Sequence, residues 1–95
     1  MPAFIVATVE IQDLDKFKAY ATTIAGLAEQ YGGESVVKGA AIDVLEGSAP
    51  AGERIVVTRF PDEASARAYI ADPVYADGKA RRAGAATVCM RLVVT

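Results

Sequence analysis

The chain has 95 residues, a length suited to one hydrophobic core and too short for two. Ten basic and twelve acidic side chains leave a net charge of −2, so no basic excess exists to hold a nucleic-acid backbone. Histidine is absent and cysteine occurs once, which removes imidazole catalysis, an intrachain disulfide and a thiolate metal cluster. Hydrophobic residues make up 53% of the chain, and 19 of them are alanine. The 24 Val, Ile, Leu and Phe residues still exceed the level at which a chain fails to bury enough surface, so a folded domain over 1–95 is expected.

Residues 3–11 (AFIVATVEI) are rich in Val and Ile and predict a strand. Asp13 suits the N-cap of the segment that follows. From there Leu14, Phe17, Ala21, Ile24, Ala28 and Tyr31 recur at three- and four-residue steps, with Tyr20 and Leu27 beside them. That spacing predicts one amphipathic helix of about five turns. Gly32-Gly33 stops it.

Glu34 to Lys38 predicts a short strand, Gly39-Ala40 a break, and Ile42 to Glu46 a returning arm, together a hairpin. GSAPAG at 47–52 is a loop by composition. Arg54 to Phe60 (RIVVTRF) predicts the third main strand. Pro61-Asp62 opens a helix, with Asp62 as N-cap and Ala66, Tyr69 and Ile70 along its apolar edge. Asp72-Pro73 interrupts it, and a second short helix runs to about Arg82, weakened by Gly78. Thr87 to Val94 predicts the last strand.

The order β-α-β-β-α-β is the ferredoxin-like arrangement, an α+β fold with an antiparallel sheet and helices on one face. Its strands do not alternate cleanly between apolar and polar. Ala3, Ile5, Ala7 and Val9 point one way, and Phe4 and Val6 the other; Ile55 and Val57 oppose Val56 and Phe60. Helices cover one face only, and monomers rarely leave a large apolar patch open. A homodimer packed sheet to sheet is therefore expected. The chain lacks a basic leader before Glu10, and its longest uncharged run is ten residues, Ala19 to Ala28, so neither a signal peptide nor a membrane span is expected. The expected location is the cytoplasm.

Specific strings then stand out: Tyr20, Gly32-Gly33, Leu45-Glu46-Gly47, Phe60-Pro61, and Pro73-x-Tyr75 followed seven residues later by Arg82. With these the chain resembles, nearly end to end, the family named domain of unknown function 1330. That family is similar to the dimeric α/β-barrel superfamily, which includes monooxygenases, dehydratases, isomerases and haem enzymes. The resemblance implies the fold and a dimer, and leaves the reaction open. Lys38 stands where the family usually has Arg, and Asp72 where Ser is frequent.

Tyr75 and Arg82, seven residues apart, share one face of a helix and could bind a carboxylate or enolate. The plainer alternative is a packed Tyr and an Arg paired with an acid. Tyr20 is a candidate proton donor or a core tyrosine. Lys38 and Glu46 would line a pocket mouth or pair across the hairpin. Arg59 and Arg91, mid-strand among apolar residues, would line a polar cavity or face the dimer interior, with Glu10 one candidate partner. Cys89 reads as a buried, inert thiol, since no His exists to activate it. No metal site, no P-loop and no dinucleotide fingerprint is visible. Two functions follow: a cofactor-independent enzyme acting on a small anionic, partly apolar molecule, or a non-catalytic dimeric module that binds a small molecule or simply assembles.

Overall fold

The computed structural model describes residues 1–95. Its elements in chain order are β1 (Ala3–Ile11), α1 (Leu14–Thr23), α2 (Leu27–Gln30), β2 (Glu34–Ala40), β3 (Arg54–Phe60), α3 (Glu63–Ala71), α4 (Pro73–Arg82) and β4 (Ala86–Val94). The four strands form one antiparallel sheet in the order β2-β3-β1-β4. All helices lie on one side of it, which is the ferredoxin-like α+β fold. The Cα envelope is 15 Å in its short direction, the depth of one sheet and one helical layer.

Local chemistry starts α1, α3 and α4 where the sequence places them. Asp13 accepts from the Lys16 amide at 3.2 Å, and Asp62 from the Ser65 amide at 2.7 Å. Asp72 closes α3 in extended geometry and caps α4 by accepting from the Val74 amide at 2.7 Å, with Pro73 in the first turn. The Asp72 carboxylate also accepts from the Tyr31 hydroxyl, which ties the end of α2 to the α3–α4 joint.

The expected five-turn helix over 14–31 is two helices. Gly26 sits at φ 78°, a left-handed value that no α-helix contains, and it separates α1 from α2. The apolar periodicity runs through the break because both pieces face the same core, so periodicity alone does not detect it.

The hairpin at 34–46 is absent. Gly39 and Ala40 do not turn; they continue the ladder opposite Ile55 and Arg54. β2 thus pairs directly with β3 up to Ala40, and Ile42–Glu46 form no strand, leaving the outer edge of β2 open. Residues 41–53 form an irregular connection closed at its base by the Ala41 amide donating to the Glu53 carbonyl at 2.9 Å. Ile42 and Leu45 on it are 101% and 93% exposed.

The core lies between sheet and helices. Ala3, Ile5, Leu27, Phe60, Ala66, Tyr69 and Tyr75 form it, and Phe60 is wholly buried. Tyr69 is its aromatic hub, with ring centroids 5.4 Å from Phe60 and 5.2 Å from Tyr75. Gly78 is buried in α4 against α1: a Cβ there would stand 2.5 Å from Ile24 Cγ2. What reads in the sequence as a helix-weakening residue is the contact point of two helices.

The opposite sheet face carries no helix. Register places Phe4, Val6, Ile55, Val57 and Val93 on it, half-buried or exposed. Cys89 is on this face too, opposite Thr8, and is exposed, not buried. The expectation of a buried thiol fails because alternation along β4 sends Met90 inward and Cys89 outward.

Candidate functional site

α1 leans on α4 more than on the strands, while α3 packs on β1 and β3. The gap between α1, α2 and the sheet is a cleft of about 500 Å³. Alanine makes the room: Ala7 on the floor and Ala21, Ala25 and Ala28 on the helical side present one methyl each where larger residues would meet. The volume falls within the roughly 300–1,000 Å³ typical of small-molecule sites.

Arg82 enters this cleft from the last turn of α4. It is 9% exposed, and no acid lies within salt-bridge reach; the ion pairs present are Arg67–Glu63 and Arg81–Asp77, both on the surface. Its Nη1 donates to the Tyr20 hydroxyl at 3.2 Å and to the Tyr75 hydroxyl at 3.4 Å. Its Cζ lies 4.8 Å from the centroid of the Tyr20 ring, a cation–π contact. Nε and Nη2 have no protein partner, and no fully buried side-chain nitrogen is orphaned, so both keep some solvent access on a residue that lines the cleft. The acid partner of the plainer reading is missing. Two phenols and an aromatic face hold the guanidinium instead.

Burial has the largest influence on the Arg82 pKa and by itself lowers it, but the Tyr75 and Tyr20 hydroxyls outweigh it, so the net shift is upward. Arg82 stays charged. Burial, reinforced by Tyr75 and partly opposed by Arg82, pushes the Tyr20 pKa up to about 12. At neutral pH the Tyr20 phenol is therefore a donor and not a base. Burial likewise raises the Tyr69 pKa. Tyr75 does not line the cleft. Its hydroxyl donates to Met90 Sδ at 3.2 Å, placing it behind Arg82 as a support.

Of the residues singled out by sequence, Tyr20, Arg82 and Lys38 line the cleft together, with Tyr75 one layer behind. Glu46 is apart from them, exposed on the irregular connection, and it cannot pair across a hairpin that does not exist. Arg59 is also apart: it pairs in register with Phe4 and Glu34, on the open sheet face. Arg91 shares that face, opposite Val6, and neither it nor Arg59 forms an ion pair with Glu10. The sequence reading missed Lys18, Glu29 and Arg54, which also line the cleft. For Arg54 a signal exists, since it shares the strand parity of Val56. The lining thus holds four cations and one carboxylate on an otherwise apolar wall. No group of three His, Cys, Asp or Glu residues is placed to hold a metal ion. No helix is long and apolar enough to cross a membrane.

A family model, Domain of unknown function (DUF1330), matches residues 2–95. The chain belongs to that family. Among solved structures, a protein of unknown function from Rhodopseudomonas palustris is similar at 20% identity, with a TM-score of 0.80 over 97% of this chain and 80% of that one. A dimeric ferredoxin-like protein of unknown function from Jannaschia sp. CCS1 is similar at 16% identity and a TM-score of 0.76, over the whole of both chains. SnoaB, a cofactor-independent oxygenase from Streptomyces nogalater, is similar at 13% identity and a TM-score of 0.68, over 99% of this chain and 92% of that one. At these identities the likeness is one of fold. A comparison with curated proteins returns no match.

Proposed function

We propose that this DUF1330 protein is a cytoplasmic homodimer that takes a small anionic, partly apolar molecule into its α1–sheet cleft and acts on it without a cofactor. The observation that carries the reading is Arg82, a buried, charged guanidinium on the cleft wall with no acid partner and two nitrogens that no protein group accepts from. A buried unpaired charge is costly, and a ligand carboxylate or enolate oxygen would complete it. Tyr20 would donate a second hydrogen bond from a phenol that stays protonated. Together they can stabilise negative charge on oxygen, which is electrostatic catalysis when that charge develops during a reaction. SnoaB supports the cofactor-free part, since a related fold there hosts an oxygenase that needs none.

The dimer is supported by the apolar sheet face, whose Phe4, Val6, Ile55, Val57 and Val93 would lie against a second copy. The Jannaschia neighbour is dimeric. A single cysteine, which allows no intrachain disulfide, suits a reducing compartment, hence the cytoplasm.

A second reading, a binding module without chemistry, is favoured by the lack of any carboxylate beside the Tyr–Arg pair to serve as base; Glu29 is the one acid on the cleft wall. One experiment separates them. Benzoate should raise the melting temperature of the native protein and leave that of Arg82→Gln unchanged. Incubation with a cell metabolite extract, read by mass spectrometry, should then show one acidic compound consumed by the native protein and not by the variant. Binding without consumption supports the module. A benzoate response equal in both proteins sinks the anion site.

A further inference from the structure

The floor of the cleft has a polarity that a single anionic group does not use. Strand register sets Met90, Ala7, Val56 and Lys38 side by side in one row across β4, β1, β3 and β2, all facing the cleft. At the Met90 end, the Tyr75 hydroxyl rests on the sulfur and supports Arg82. At the other end stands Lys38. Arg54 joins it, one same-face step along β3 from Val56. The middle of the row, Ala7 and Val56, is wholly apolar. Neither Lys38 nor Arg54 takes part in an ion pair, and Glu29, the one acid on the wall, pairs with neither. The row covers three interstrand spacings, roughly 14 Å at backbone level, and side chains reaching inward from both ends shorten the span an occupant must bridge.

We propose that the cleft selects a molecule with an anionic group at each end of an apolar body, a medium-chain α,ω-dicarboxylate being the simplest form. Arg82 with Tyr20 holds one head, and Lys38 with Arg54 holds the other. This rests on the reading of Arg82 as an anion anchor. An acid with one head leaves Lys38 and Arg54 unused, and a short diacid cannot reach both ends.

Titration calorimetry at low salt compares azelate with nonanoate, which has the same number of carbons and one carboxylate, and with succinate. Azelate should bind roughly tenfold more tightly than nonanoate, the worth of one added charge-assisted contact. The double variant Lys38→Gln/Arg54→Gln should lose that advantage and bind nonanoate as the native protein does. Both side chains are exposed, so its melting temperature should be unchanged. Arg82→Gln should weaken both acids, and Arg82→Lys should restore part of the binding. Equal affinity for azelate and nonanoate, or an unaltered azelate affinity in the double variant, overturns the two-headed site. If Arg82→Gln still weakens both acids in that case, the anchor stands. Succinate binding as tightly as azelate overturns the span. Failure of both long acids to bind, or indifference of both to Arg82→Gln, overturns the anchor and the two-headed site with it.

Discussion

Gly78→Ala sets helix propensity against packing, and the two predict opposite signs. Alanine in a helix interior is favoured over glycine by about 0.8–1.0 kcal/mol, so α4 alone should gain. The structure puts the new methyl 2.5 Å from Ile24 Cγ2 and 3.4 Å from Tyr20 Cδ1. Ile24 is β-branched, so its methyl cannot swing away without changing χ1. Overpacking of this kind costs about 1–3 kcal/mol. The net expectation is a loss of up to about 2 kcal/mol, or up to roughly 8–16 °C in a chain of this size. Urea denaturation at fixed protein concentration measures it. The decisive arm is the same substitution in an Ile24→Ala background, where the clashing methyl is gone. There Gly78→Ala should stabilise by about 1 kcal/mol, because only the propensity term remains. If Gly78→Ala stabilises the native background, or has the same effect in both, the α1–α4 contact is not as close as described.

Val57→Asp and Val93→Asp, both on the open sheet face, should each leave a folded chain that sediments as a monomer; Ile5→Asp, in the core, should abolish folding. A dimer persisting in both sheet-face variants would refute the sheet-to-sheet assembly. The Asp72 carboxyl is held below the usual carboxylate range by the Tyr31 hydroxyl and the Val74 amide. Its stabilising effect is thus present above that range and lost as pH falls through it. The gap in melting temperature between the native protein and Asp72→Asn should be widest near neutrality and close below about pH 4. A gap independent of pH would refute the assignment. Tyr20 has its pKa raised, so the stability it contributes is complete below the ordinary phenol value, about 10, and lost as pH rises from there toward about 12. Tyr20→Phe should lower the high-pH part of the tyrosinate absorbance titration by one tyrosine, leaving the raised Tyr69 in place, and an unchanged titration would count against the burial of Tyr20 beside Arg82.

Much of this protein is decided by chemistry local in the chain. Asp13, Asp62 and Asp72-Pro73 mark helix starts because capping needs only a carboxylate and the amides two or three residues on. Alternation in β1 separates Ala3, Ile5, Ala7 and Val9 from Phe4 and Val6 because side-chain direction in a strand follows a period of two. The seven-residue step from Tyr75 to Arg82 brings a phenol and a guanidinium together because two helical turns span it. Other features depend on residues far apart in sequence. Whether Gly39-Ala40 turns or stays extended was settled by β3, whose Ile55 and Arg54 pair with them and carry β2 past the expected turn. Gly78 looks like a defect until α1 arrives against it. Arg82 could have met an acid; that it meets Tyr20, 62 residues away, is a property of how α4 lies on α1. The cleft itself is the clearest case. Nineteen alanines in the composition mean only small side chains. They become a cavity where Ala7 and Ala21, Ala25 and Ala28 face each other across the gap between sheet and helix, and only packing decides which small residues face one another.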